Sequence, residues 1–247
     1  MGRLPLIGIL VVVLAALAAP PLSSARVLQS TSRTDTPIGA PADQARHLIA
    51  YVRPGTSVAL HSRPFGPVVD TVSSTTQFGS PQTLSVVQTR NGRWLGVTQV
   101  GLGNGRLGWV DAAAGDLRYT TTPLEIDVDL STRTLTVRRG TDVLREMLVG
   151  IGRPDTPTPT GRFAVTDELN GASYSSAAYG CCILALSATQ PNLPAGWTGG
   201  DRIAIHGTSS SSDFGHAVST GCIHASEADL RYLMQWIPLG TPVVIQQ

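Results

Sequence analysis

From Leu124 the chain alternates. Leu124, Ile126, Val128 and Leu130 are apolar, and Glu125, Asp127 and Asp129 between them are acidic. A period of two sends each set to its own face of a strand, one packed and one wet. Ser131-Thr132 makes a turn, Thr134-Leu135-Thr136-Val137 returns as the hairpin partner, and Val143 to Ile151 predicts a further strand. The same short-strand texture fills 47–119. There Val58-Ala59-Leu60, Val68-Val69, Leu84 to Val87 and Trp94 to Val97 recur between turn residues. Asn91-Gly92 is a strong hairpin signal between the last two. Gly101, Gly103 and Gly105 before Arg106 to Val110 suggest another hairpin, and Trp94 and Trp109 read as core. Helical spacing is clear once, at Leu230, Leu233, Met234 and Ile237, with Ser226 and Asp229 as an N-terminal capping pair. Pro238 and Gly240 stop it, and Pro242 to Ile245 closes the chain as a strand. The pattern predicts a mainly β protein.

Breaks in that pattern divide the chain. Residues 1–25 read as an export signal, with Arg3, an apolar run from Leu4 to Ala19, Pro20-Pro21 and small residues at Ser23-Ser24-Ala25. The competing reading is an uncleaved anchor, which would be the protein's one attachment to a membrane. Either way the remainder is expected outside the cytoplasm, in the cell wall or periplasm. Residues 26–46 are polar and aperiodic, a linker. Thr120-Thr121-Thr122-Pro123 punctuates the chain, which sets a small all-β domain at 47–119 and a second domain at 120–247.

Charge excludes more than it selects. Net charge is +1, so neither nucleic acid nor an anionic membrane surface is favoured as a partner. All 18 basic residues are Arg, which rules out Schiff-base lysines, Ser–Lys pairs and a phosphate-loop lysine. Three cysteines in an exported chain leave at least one thiol unpaired. Cys181 and Cys182 are neighbours, and on a strand they would point to opposite faces, one thiol buried and one near the surface. A strained bridge between them is the alternative, and a bridge from either to Cys222 would remove that thiol.

The candidate chemistry lies in Asp201–His224. Ile203-Ala204-Ile205 suits a buried strand that ends on His206, and Gly207 permits close approach beside it. A loop of small residues, Thr208 to Val218, leads to Ser219-Thr220-Gly221-Cys222. A thiol in such a turn, brought to a histidine by the fold, is the minimum for a cysteine nucleophile with His206 as base and then acid. Two other readings stand beside it. Cys222 can be a buried structural thiol, or His206, His216, Cys222 and His224 can hold zinc, although their spacings match no usual ligand pair. Asp167 to Gly180, small and polar, reads as an active-site loop or as a mobile surface loop. The acidic strand face at Glu125, Asp127 and Asp129 reads as solvated.

IHGT…FG…STGCI, preceded by TPTPTGRF, resembles the signature of the L,D-transpeptidases, the YkuD-like family of bacterial cell-wall enzymes. The likeness spans about Pro123 to Ile245. It implies a YkuD-like β-sandwich catalytic domain with one or two short helices, following a small β-barrel domain. GRWLGVTQV…GRLGWVDA in the latter loosely resembles bacterial Src-homology-3-like barrels. The resemblance implies that Cys222 attacks tetrapeptide stems of peptidoglycan between the third-position diamino acid and D-alanine. The thioester would then pass to the side-chain amine of another stem, or in some relatives to lipoprotein or water. It makes His206 and Cys222 catalytic, Ser219, Gly221 and Gly207 their support, and the Gly221 and Cys222 amides oxyanion donors. Thr208, Tyr174 and His224 are carried as substrate-side residues. No cofactor and no metal is called for, and carbapenem β-lactams are expected to acylate Cys222. Two departures stand out: Thr220, where the family often has His, and His224, where it usually has Arg. The second sustains an alternative reading, a catalytically weak or inactive wall-binding protein.

Overall fold

The computed structural model describes residues 46–247; the expected export signal and nearly all of the linker lie outside the described residues. Seven strands come first: β1 (His47–Val52), β2 (Ser57–His61), β3 (Val68–Ser73), β4 (Thr83–Arg90), β5 (Trp94–Val97), β6 (Gly108–Asp111) and β7 (Leu117–Thr122). They form one antiparallel sheet in the order β3-β2-β6-β5-β4-β1-β7. Its curled interior is filled by Val58, Leu60, Leu84, Leu95, Val97 and Val110, with Trp94 and Trp109 buried as expected. Asn91 and Gly92 both have positive φ, 53° and 62°, and the Arg93 amide donates to the Arg90 carbonyl at 3.1 Å. Left-handed backbone at both central positions matches the twist of the joined strands, so the Asn-Gly pair is chosen by sterics.

Pro123 alone separates β7 from β8 (Leu124–Asp129). The second sheet adds β9 (Thr134–Arg139), β10 (Asp142–Leu148), β12 (Gly161–Asn170), β13 (Cys182–Thr189), β14 (Arg202–His206), β16 (Ile223–His224) and β17 (Pro242–Gln246). Their order is β10-β9-β8-β17-β12-β13-β14-β16, with β8–β17 and β14–β16 parallel and the other neighbours antiparallel. Leu124, Ile126 and Val128 are buried and the three carboxylates between them half-buried; Asp127 pairs with Arg138 at 2.6 Å. The helix α2 (Glu227–Trp236) is capped by the Ser226 hydroxyl, which accepts from the Asp229 amide at 3.2 Å. Its Leu230 and Leu233 are buried with Ile237 in the core.

Three segments depart from expectation. The strand foreseen over 143–151 breaks after Leu148, and Ile151–Gly152 (β11) pairs instead with Ala217–Ser219 (β15) in a separate two-stranded ribbon. Gly150 at the break exchanges both backbone hydrogen bonds with His224, at 2.8 and 2.9 Å. A Cβ at Gly150 would sit 2.8 Å from the Asp213 carbonyl, so glycine permits this approach.

The polar stretch from Asp167 is not all loop: β12 continues to Asn170 before a 3₁₀ turn (Gly171–Ser173) and a short helix, α1 (Ser176–Tyr179). Asp167 is fully buried because it has partners, Arg202 at 3.7 Å and the Thr76 hydroxyl. Polar character alone reads as exposure, but a paired carboxylate can be interior.

The adjacent cysteines form a disulfide, Cα to Cα 3.7 Å, rather than opposed thiols. Cys181 lies before β13, just after Gly180 at φ 67°, so the strand alternation that would separate the two side chains does not apply.

Loops of the first sheet meet the second. Asn104 bonds both backbone groups of Thr189, Nδ2 to the carbonyl at 2.7 Å and Oδ1 from the amide at 3.0 Å.

Candidate active site

Strand β14 delivers His206, and β16 runs parallel to it in a register that pairs Ile205 with Ile223 and His206 with His224. Cys222 immediately precedes β16, and its sulfur lies 3.9 Å from the Arg202 carbonyl at the start of β14, the strand that ends on His206. The thiol is the free one among the described cysteines and is half-buried.

The turn that holds it is built from side-chain hydrogen bonds to its backbone. The Ser219 hydroxyl donates to the Cys222 carbonyl at 2.5 Å and accepts from the Gly221 amide at 3.0 Å. The Thr158 hydroxyl donates to the Gly221 carbonyl at 2.9 Å. Gln190 Nε2 donates to the Thr220 carbonyl at 3.2 Å and to the Pro157 carbonyl at 3.0 Å. Gly221 has φ 112°, and a Cβ there would lie 2.2 Å from Gln190 Nε2, so both backbone and space demand glycine.

Because a trans peptide points its C=O and N–H in opposite directions, Thr158 turns the Cys222 amide away from itself. Among the described residues that amide has no acceptor. The Gly221 amide, expected as a second oxyanion donor, is instead taken up by Ser219.

His206 is buried. Its Nδ1 lies 2.6 Å from the Gly207 carbonyl, so Nδ1 carries the proton as donor and Nε2 is left as the free base. Burial, and then the neighbouring His224, lower the imidazole from 6.5 to about 4, against the opposing bond to Gly207. At neutral pH it is therefore unprotonated, as a general base must be. Burial pushes the Cys222 thiol up, with a backbone hydrogen bond opposing. A standing thiolate–imidazolium pair is thus disfavoured at rest, and deprotonation has to accompany attack.

Gly207 is pressed against the 179–180 backbone: its amide donates to the Tyr179 carbonyl at 2.8 Å, and a Cβ would meet Gly180 Cα at 2.8 Å. That contact sets the Tyr179 ring 4.9 Å from the His206 ring, edge to face. Tyr174, expected at the substrate side, is half-exposed and 6.5 Å from the rings of both Tyr179 and Phe78, the latter contributed by a loop of the first sheet. Thr208 does not project freely; its hydroxyl donates to Asp213 at 2.6 Å. His224 Nδ1 lies 2.8 Å from the same Asp213 oxygen, and its ring centroid is 4.9 Å from that of His206. His216 bonds the Phe214 carbonyl at 3.2 Å and is exposed. The residues missed from sequence are Thr158, Tyr179, Gln190 and Asp213. Only the first had a signal, the TPTPTG turn.

Residues 123–245 match the family model YkuD, the L,D-transpeptidase catalytic domain. The Bacillus subtilis protein that bears the name L,D-transpeptidase YkuD is 30% identical over 127 residues, which cover 51% of this chain and 68% of that one. Among solved structures, an L,D-transpeptidase from Mycobacterium smegmatis is 19% identical, covering 66% of this chain and 82% of its own, with a TM-score of 0.41. The L,D-transpeptidase LdtMt1 of Mycobacterium tuberculosis, solved with imipenem, is 21% identical over 57% of this chain and 73% of that one, with a TM-score of 0.39.

Proposed function

Because the chain belongs to the YkuD family of L,D-transpeptidase catalytic domains, we propose that it is an exported cysteine transpeptidase that cross-links peptidoglycan through a thioester on Cys222. The observation that carries the reading is the free thiol on a hydrogen-bonded turn, beside its own unengaged amide, at the head of the strand that pairs with the one ending on His206. As the thiol attacks the stem carbonyl, His206 Nε2 takes its proton and the Cys222 amide receives the developing oxyanion. Collapse of the tetrahedral intermediate breaks the C–N bond, and His206 returns the proton to the D-alanine amine. The acyl-enzyme is then resolved by the side-chain amine of a second stem, or by water. Tyr174 and Tyr179 flank this site as walls for the donor stem, and a carbapenem would open its ring on the same sulfur.

Purified protein with disaccharide-tetrapeptide tests the reading. A dimer that has lost one D-alanine supports cross-linking, and a disaccharide-tripeptide indicates transfer to water. Absence of both products from folded protein would sink the catalytic reading. A second reading, a wall-binding protein of little activity, is favoured by His224 where the family usually has Arg; retention on insoluble peptidoglycan without product is its outcome.

A further inference from the structure

The site holds a second imidazole in the posture of a base. His224 Nδ1 faces the Asp213 carboxylate at 2.8 Å, and Asp213 is steadied by the Thr208 hydroxyl at 2.6 Å. Those bonds, first Thr208 and then, against desolvation, His224, hold the Asp213 carboxyl below its usual range, so it is ionised at neutral pH. An ionised carboxylate accepts from Nδ1–H, which leaves Nε2 as the nitrogen with a free lone pair. The backbone fixes the ring further, since His224 exchanges two hydrogen bonds with Gly150. A substrate carboxylate is poorly served here, because Asp213 already occupies the donor and would repel it.

We propose that His224, oriented by Asp213, is a further catalytic residue: the general base that deprotonates the incoming amine or water in the second half-reaction. The inference rests on the transpeptidase reading above. His206 serves acylation, where its proton goes from sulfur to the leaving amine and the imidazole ends neutral. In the second half the nucleophile's N–H or O–H proton passes to His224 Nε2 as the new C–N or C–O bond forms. The C–S bond then breaks, and the proton returns to the Cys222 thiolate through His206 or solvent. The division suits the two environments. His206 has only a carbonyl on Nδ1 and a buried ring that resists charge, whereas His224 has a carboxylate. The titratable groups facing His224 are His206 from β14 and Asp213 from the loop after it, with His216 acting on Asp213; Gly150 brings no charge.

The test separates the two half-reactions. Single-turnover D-alanine release from disaccharide-tetrapeptide measures acylation, and loss of the acyl-enzyme mass on adding acceptor stem measures resolution, both across pH 5 to 9. His224→Gln is expected to slow resolution about 100-fold while acylation stays within about threefold, and to remove the acidic limb from the pH profile of resolution. Asp213→Asn is expected to slow the same step about tenfold. Parallel loss in both steps, or loss in neither, overturns the proposal. Should His224→Gln lower the melting temperature and fail to acylate, the split in Asp213→Asn decides. Wild-type protein that neither acylates nor turns over defeats the transpeptidase reading itself, before any variant is compared, and this inference falls with it.

Discussion

The Thr158 hydroxyl donates to the Gly221 carbonyl at 2.9 Å while accepting from the Gly152 amide at 2.8 Å. One buried hydroxyl therefore ties the β11 ribbon to the turn that presents the thiol and sets which way the Gly221–Cys222 peptide faces. Val at 158 keeps the shape and removes both bonds, leaving a buried amide and a buried carbonyl without that partner. Thr158→Val should cost about 1–3 kcal/mol of stability. It should also slow carbapenem acylation by about tenfold or more, because the oxyanion donor loses its orientation. Thermal melts and acylation kinetics check both.

His206 ties stability to pH. Its folded value of about 4 lies below its ordinary 6.5, so between those values the unfolded chain binds a proton that the folded one does not. Stability from this group is full above about pH 6.5 and is lost as the pH falls toward 4, by at most about 3 kcal/mol. Denaturant midpoints from pH 7 to pH 4 should fall, and in His206→Gln that portion of the slope should flatten. An unchanged slope in the variant would contradict the buried neutral imidazole.

The Thr76–Asp167–Arg202 network joins a loop of the first sheet to strands next to the thiol. Arg202 also donates to the Leu186 carbonyl at 2.7 Å and stacks over Phe78 at 5.7 Å, and its own carbonyl lies 3.9 Å from the Cys222 sulfur. Asp167→Ala strands a mostly buried guanidinium and should cost about 3–5 kcal/mol. Asp167→Asn, which keeps the bond to Thr76, should cost less. Calorimetry ranks the two, and equal melting points would show that the bond to Thr76 contributes nothing.

Much of this was legible in the chain. The Asn91-Gly92 turn, the Ser226 cap and the alternation from Leu124 are local signals, and each became the element it predicted. His206 and Cys222 lie on strand and turn as their neighbours implied, because Ile203 to Ile205 could only be buried strand and Gly221 only a turn. What stayed hidden depends on distant partners. Asp167 looked like loop because nothing nearby in sequence reveals Arg202 or Thr76. Asp213 lay in a run of small polar residues, and only the crossing of Gly150 against His224 makes it a partner of that imidazole. The Cys181–Cys182 bridge is hidden because Cys181 lies one residue before β13, where side-chain alternation does not yet hold.

The central claim is that Cys222 is the acyl-accepting nucleophile. The direct measurement is the intact mass of the reduced protein after incubation with a carbapenem, beside Cys222→Ala. Wild type should gain the single mass of one opened β-lactam, and the variant none. Wild type left unmodified, or a variant modified equally, would contradict it.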